Sequence, residues 1–547
     1  MGPLSDQTVE PNEKNPAARQ GKRVNRYVWY LLAIAVSLII ILCTFKDYGV
    51  TWDASVHARY GELVVDYFRS GFQDKACNSF LNLRYYGPLF DAATALVYDY
   101  FKTPKYETRH LCVALMALLS LPGLFLYAKR FHMLHVAAFS VLSLVTLPRF
   151  YGHAFINFKD MPFACFFVWS MVAISGAITR KTLAWRWVVF CGVAIGLTLA
   201  VRVGGFLLFF FLVAGRIFAQ ISSGPGSWKQ AIVEYDARES LKALTLIVIA
   251  WALMVSVWPW SHENLILNPL RSFGMMSKFS WVYSVLFEGT VFQSNQLPWY
   301  YLGKYILITT PVFHLAFALL GLIMSIVFQI KNFRSHESRQ GFLTQLWLVA
   351  PIIYFSLCRP NVYDGLRHFL FILPALAVFA GLGAGCVLQW ASTHGKLRFM
   401  PVLVCVLFLL PVKDLVRLHP YQATYFNALV GGVGEAWKEY ETDYWASSYK
   451  EAMEWVDRQA ERQGNQKTAV LVAANSYSRI CAEYYVTPRI SCYFTYEDSS
   501  EEPLDYYIST TRYGWYKKYP DAPVVHTVGR EGAIFTVIKD LKRRTSH

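Results

Sequence analysis

Apolar windows recur along the chain with short polar punctuation, and their lengths predict about 11 membrane-spanning helices. The windows fall at 27–44, 108–128, 132–148, 161–179, 184–201, 204–221, 240–258, 301–330, 343–358, 368–391 and 398–413. The eighth is long enough to tilt or to include an interfacial turn. Numbering alternate connections assigns one side Lys14, Arg19, Lys22, Arg23 and Arg26, then Lys129 and Arg130, then Arg180, Lys181 and Arg186. Arg216, Lys229, Arg238 and Lys242 follow on that side, then Lys331, Arg334 and Arg339, and finally Lys396 and Arg398. The positive-inside rule makes that side cytoplasmic. The opposite, trans side receives the longer connections, 45–107, 149–160, 259–300 and 359–367, together with the tail from Leu415. In the tail, DYWASSYKEAMEWV reads as an amphipathic helix and TAVLVAAN, PLDYYIST and GAIFTVI as short strands, which predicts a small α/β domain. The predicted organisation is therefore a disordered cytoplasmic head over 1–26, a transmembrane domain over 27–414 and a periplasmic or lumenal α/β domain over 415–547.

Composition supports the membrane assignment. Of 547 residues, 55% are hydrophobic and only 16% charged, where soluble proteins carry about a quarter. In this setting the net charge of +15 fits basic cytoplasmic loops and sites for anionic lipid or phosphate rather than nucleic acid. The 27–44 run is long for a signal peptide and lacks a small-residue cleavage site, so it reads as the first anchoring span. Ten cysteines occur without a CxxC or a Cys/His cluster, which gives no basis for a metal site. Cys481 and Cys492, close together in the tail, would be able to pair in an oxidising compartment.

Candidate chemistry collects in the trans connections. In YGVTWDASVHARYGELVVDYF, Asp53 lies just beyond the first span with His57 one helical turn on. A carboxylate there is placed either as a general base toward an acceptor or on the wet face of an interfacial helix. NLRYYGPLFD sets Arg84 and Tyr86 before a Gly-Pro break, suited to phosphate and sugar or to aromatic anchoring at the headgroups. LPRFYGHAFINFKDMPFA brings Arg149, His153, Asn157, Lys159 and Asp160 between two apolar segments. Asp160 opens a helix whose N-terminus favours an anion, whether its own carboxylate or a phosphate. Arg202 sits in VRVGG at a membrane edge, and CRPNVYDGLRHFLF adds Arg359, Asp364, Arg367 and His368. Charges so close to lipid need a partner or a role.

TWDASVHARYG, LPRFYGHAFINFKDMPFA, LPWYY and YDGLRHFLFILP, in this order, resemble the lipid-linked-sugar glycosyltransferases of the GT-C class. Within it they resemble the bacterial family 39-like enzymes related to protein O-mannosyltransferases and aminoarabinose transferases. The likeness runs to about residue 415, and HPYQATYFNALVGG with YETDYWASSYKEA resembles the tail of uncharacterised bacterial members. Asp53 and Asp160 match the family's acidic positions in the first and second trans loops. One departure is Ala54, where the first-loop motif is often Asp-Glu. The resemblance implies an inverting transfer from a polyprenyl-phosphate sugar to a lipid, glycan or protein acceptor, without a metal or other cofactor. Asp53 would take the acceptor proton and Asp160 would orient the acceptor or a basic neighbour. Lys159, His57, Arg84, Tyr86, His153, Arg202, Arg367 and His368 would form the substrate-binding set. The absence of an Asn-x-Ser/Thr sequon fits a bacterial inner membrane, and the basic loops predict a cytoplasmic N-terminus and a periplasmic C-terminus, in contact with membrane lipids and with no nucleic-acid partner. A transporter or flippase of lipid-linked glycan, or a non-catalytic assembly factor, are the competing classes. The former is expected to show repeated halves and midplane binding residues, and neither feature is evident.

Overall fold

The computed structural model describes residues 31–178, 183–222, 237–277, 282–395, 399–464, 467–496 and 503–543. The expected disordered head and the basic residues Arg180, Lys181, Lys229, Lys396 and Arg398 lie outside them. The chain forms two compact units, 1–44 and 45–547. In the first, helix α1 (Leu31–Thr44) exposes Leu31, Leu32, Val36, Ile39 and Leu42, an apolar surface suited to lipid.

The second unit begins with two short helices, α2 (Ala54–Arg69) and α3 (Leu89–Phe101), packed side by side. Gly61 permits this, because a Cβ there would overlap the Asp91 backbone. Then come α4 (Lys105–Ala128), α5 (Leu134–Val145), α6 (Pro148–Ile156), α7 (Asp160–Ile178), α8 (Trp185–Leu199), α9 (Leu207–Ile221) and α10 (Ala237–Ser256). A hairpin of β1 (Ser284–Phe287) and β2 (Thr290–Gln293) turns through Glu288 and Gly289, both at positive φ. Helices α11 (Val312–Lys331), α12 (His336–Cys358) and α13 (Leu373–His394) complete the bundle.

Among the described residues each predicted window falls on helix, but proline divides two of them and a third ends at a proline-led bend. Among the described residues seven helices are long and apolar enough to cross a membrane, or eight if α5 and α6 count as one span bent by 60°. That bend precedes Pro148, which opens α6, where its missing N–H costs no helix hydrogen bond. Pro311 likewise splits the predicted 301–330 span into a short helix, Tyr301–Thr309, and α11. Pro411 separates Met400–Leu409 from Val412–Arg417.

Helix α7 is the centre of the bundle, since 89% of its apolar window is buried, against 17% for the peripheral α10 and α11. It packs between α4 and α8, while α13 packs on α5 and α11. An all-round apolar helix belongs in such a central position.

The tail carries α14 (Tyr449–Arg462) and a mixed sheet of β3 (Thr468–Val472), β4 (Ile490–Phe494), β5 (Tyr506–Thr510), β6 (Val524–Arg530) and β7 (Ala533–Asp540), in the order β4-β3-β5-β7-β6. β3 runs parallel to β4 and β5, with Val470 opposite both Cys492 and Tyr506, and β7 is antiparallel to β5 and β6. The three predicted strands are β3, β5 and β7; β4 and β6, more exposed, complete the sheet. No disulfide joins Cys481 to Cys492. The tail is stitched to the bundle: Arg149 Nε donates to Tyr425 O (2.9 Å), and Asn427 Nδ2 donates to the carbonyls of Leu307 and Thr310 (2.7 Å each).

Candidate active site

The segment ends that helix alternation assigns to one side do meet. The start of α7, the end of α8, the turn before α13 and the start of α2 converge, and the tail closes over them. Asn157 organises the first turn of α7, its Oδ1 accepting from the backbone N–H of Lys159 (3.3 Å) and of Asp160 (2.9 Å). This satisfies donors that a helix start would otherwise leave open.

Asp160 is buried and fully engaged. It forms an ion pair with Arg202, accepts from Asn157 Nδ2 at 3.0 Å and lies 3.5 Å from Arg367 Nη1. Arg367 Nε in turn meets Asp364 Oδ2 at 3.0 Å, and Asp364 Oδ1 meets Arg512 Nη2 at 2.8 Å. Arg512 also approaches Glu441 at 3.6 Å and donates to the Tyr444 carbonyl at 2.6 Å. Opposite charges thus alternate from Arg202 to Glu441, which is how buried charges are made tolerable. Outside the spans, burial pushes the Glu441 carboxyl up to about 7, with Arg512 opposing and Asp364 reinforcing the shift. Burial works against the charge of Arg512, but its acidic neighbours Asp364 and Glu441 hold the guanidinium firmly protonated.

Asp53 is different. Among the described residues its carboxylate makes no hydrogen bond or ion pair, yet Lys159, Arg367, Arg512 and His57 surround it. Burial would raise it, and Lys159, Arg367, His57 and Arg512 outweigh that, leaving it below the usual carboxylate range. Burial lowers the Lys159 ammonium, opposed by Tyr86 and Asp53. Its Nζ lies 4.3 Å from the Tyr86 ring centre and donates to His57 Nε2 at 3.3 Å. His57 Nε2 is therefore an acceptor, and Nδ1–H donates to Asp91 Oδ2 at 2.7 Å. Asp91 is fixed by Arg109 Nη2 (2.6 Å), whose Nη1 donates to Thr94 (2.8 Å).

A small pocket containing Asp53 is lined by Thr51, His57, Asn157, Lys159, Arg367 and Trp445. A separate, larger cavity of about 430 Å³ has apolar walls, including Phe163, Phe206, Phe210, Phe273 and Met276, with Arg202, His368 and Tyr86 also lining it. Gly87 allows Tyr86 its place, since a Cβ there would overlap the Ala200 carbonyl, two residues before Arg202. Arg202 links the two pockets through Asp160 and Arg367.

Most of the residues predicted for the site thus come together: Asp53, Lys159, His57, Tyr86, Asp160, Arg202, Arg367 and His368. His57 has both ring nitrogens occupied and holds Lys159. His153 is buried behind Asn157, 3.4 Å from its Nδ2, and meets the Tyr444 hydroxyl at 3.2 Å, so it buttresses the wall. Arg84 is held elsewhere, by the Asn78 carbonyl (3.4 Å) and the Tyr85 hydroxyl (3.1 Å), against Trp260. Asp91 and Arg109 escaped the sequence reading although each is a charge in an apolar frame, a signal that calls for a partner. Arg512 and Trp445 carried no comparable signal.

No protein-family model matches the chain, and no curated protein matches it in sequence. Solved structures do match in fold. ArnT from Cupriavidus metallidurans in the apo state is 13% identical with a TM-score of 0.50, covering 96% of this chain and 100% of that one. The archaeal oligosaccharyltransferase AglB from Archaeoglobus fulgidus is 11% identical with a TM-score of 0.50, covering 90% of this chain and 71% of that one. The chain is an integral membrane protein with a GT-C fold, the architecture its sequence resemblance implied.

Proposed function

We propose that this protein is a glycosyltransferase that moves a sugar from a polyprenyl-phosphate donor to a hydroxyl or amine of a lipid, glycan or protein acceptor, with inversion. The observation that carries this reading is one unbonded carboxylate, Asp53, sharing a pocket with the cations Lys159 and Arg367, beside an apolar cavity of about 430 Å³ that Arg202 lines. The AglB neighbour is described in complex with dolichol-phosphate, a ligand of the same chemistry.

The donor's prenyl chain would lie among Phe163, Phe206, Phe210 and Phe273, with its phosphate toward Arg202 and His368. The acceptor heteroatom attacks the anomeric carbon from the Asp53 side as the bond from that carbon to the phosphate oxygen breaks. The electron pair stays on the phosphate, stabilised by Arg202, Arg367 and Lys159, and the acceptor proton passes to Asp53. Asp160 acts by orienting its two arginines, whose forked donors suit phosphate. Arginine and lysine supply the positive charge, so no metal or other cofactor enters the scheme; the lipid-linked sugar is a substrate. The reaction is assigned to the periplasmic face of a bacterial inner membrane, N-terminus inside, within the family 39-like branch.

The test is to incubate purified protein with polyprenyl-phosphate sugars and a membrane extract that supplies acceptors, and follow release of polyprenyl phosphate. Wild type should release it and Asp53→Asn should not. Undiminished release by a folded Asp53→Asn protein would remove Asp53 from the chemistry.

A further inference from the structure

We propose that Arg512, delivered from the end of β5 in the tail, is a positioning residue that holds Arg367 in the active site through Asp364, so that the sheet domain is part of the catalytic apparatus. This rests on the reading of Arg367 as a ligand of lipid phosphate.

Asp364 is the pivot. It is buried with φ near 60°, followed by Gly365 at φ 68, so the turn before Arg367 lies in the left-handed region. Asp tolerates that conformation better than most residues but does not favour it. Two arginines grip its carboxylate from opposite sides, Arg367 Nε at 3.0 Å and Arg512 Nη2 at 2.8 Å. The Arg512 fork is itself aimed by the Tyr444 carbonyl at 2.6 Å and stacks 5.0 Å from the Trp52 ring, next to Asp53. The tail also supplies Trp445, whose ring lies 5.0 Å from the Arg367 guanidinium and which lines the Asp53 pocket. The Arg367 guanidinium thus lies near the Trp445 ring of the tail and, at 4.8 Å, the Tyr363 ring, with Asp160 on α7 3.5 Å from its Nη1. Without Arg512, Asp364 would keep only Arg367 as counter-charge, and the turn would be free to draw Arg367 away from Asp160.

The experiment uses the full-length protein in lipid nanodiscs, with undecaprenyl phosphate as probe, and measures its binding together with amide hydrogen exchange over 363–372. Arg512→Met should weaken binding about tenfold or more and speed exchange in that segment. In an Asp364→Asn background it should add less than twofold, because both act on one pivot. Arg512→Lys, which keeps the charge and loses the fork, should fall between wild type and Arg512→Met, and decides the matter should Arg512→Met fail to fold. Binding within twofold of wild type with unchanged exchange, or independent multiplicative effects with Asp364→Asn, would overturn the proposal. Faster exchange in a protein whose wild type does not bind undecaprenyl phosphate would retain Arg512 as a positioning residue and overturn the donor assignment instead.

Discussion

Two carboxylates at one site have opposite surroundings, and their variants should fail in opposite ways. Among the described residues Asp53 has no hydrogen bond or ion pair to lose, only the attraction of nearby cations, so Asp53→Asn should lower the melting temperature far less than Asp160→Asn while lowering transfer by about a hundredfold or more, the usual scale for a general base. Asp160 neutralises Arg202 and Arg367. Asp160→Asn should therefore cost about 3–5 kcal/mol of stability, the scale for a buried ion pair deprived of one partner. Thermal melts beside transfer assays separate the two. Because its neighbours hold Asp53 below the usual carboxylate range, its anion persists from neutral pH into mild acid. The rate should show no acid limb from this group above that range. Glu441 has the opposite sign: its carboxyl is raised from 4.5 to about 7, so the folded protein binds more protons than the unfolded chain between those values. Stability should then fall as pH rises from 4.5 to about 7, a loss that Glu441→Gln should remove when melts are compared across that window.

At the scale of elements, apolar periodicity made the helices legible because a lipid-facing or bundle-buried helix must be apolar over its whole length. It did not reveal where they break, since that depends on single prolines, Pro148, Pro311 and Pro411, inside windows whose average remains apolar. Asp53, Asp160 and Lys159 were legible because each is a charge next to a span edge. Their partners were less so. Asp91 reaches His57 only because α2 and α3 touch at Gly61, a contact between residues 30 apart that no local pattern encodes. Gly61→Leu should push the two helices apart, costing about 1–3 kcal/mol by overpacking. It should also release Lys159 from His57, giving an inserted protein with reduced transfer; protease protection and activity measured together would show it.

For the whole molecule, the tail is where sequence reading had least purchase. Strand patterns announced a small domain, but nothing local announced that TTRYGWY would place Arg512 against Asp364, 148 residues away in the chain. Long-range ion pairs between a sheet loop and a membrane turn follow from the assembled fold alone. Under the proposed reading, that assembly gives the apolar cavity, the cations around Asp160 and the Asp53 carboxylate one common purpose. The most direct measurement is mass-spectrometric detection of free polyprenyl phosphate after purified protein in nanodiscs meets a membrane extract of polyprenyl-phosphate sugars and acceptors. Transferase action predicts time-dependent release by wild type and none by Asp53→Asn; no release by wild type, or equal release by both, would contradict it.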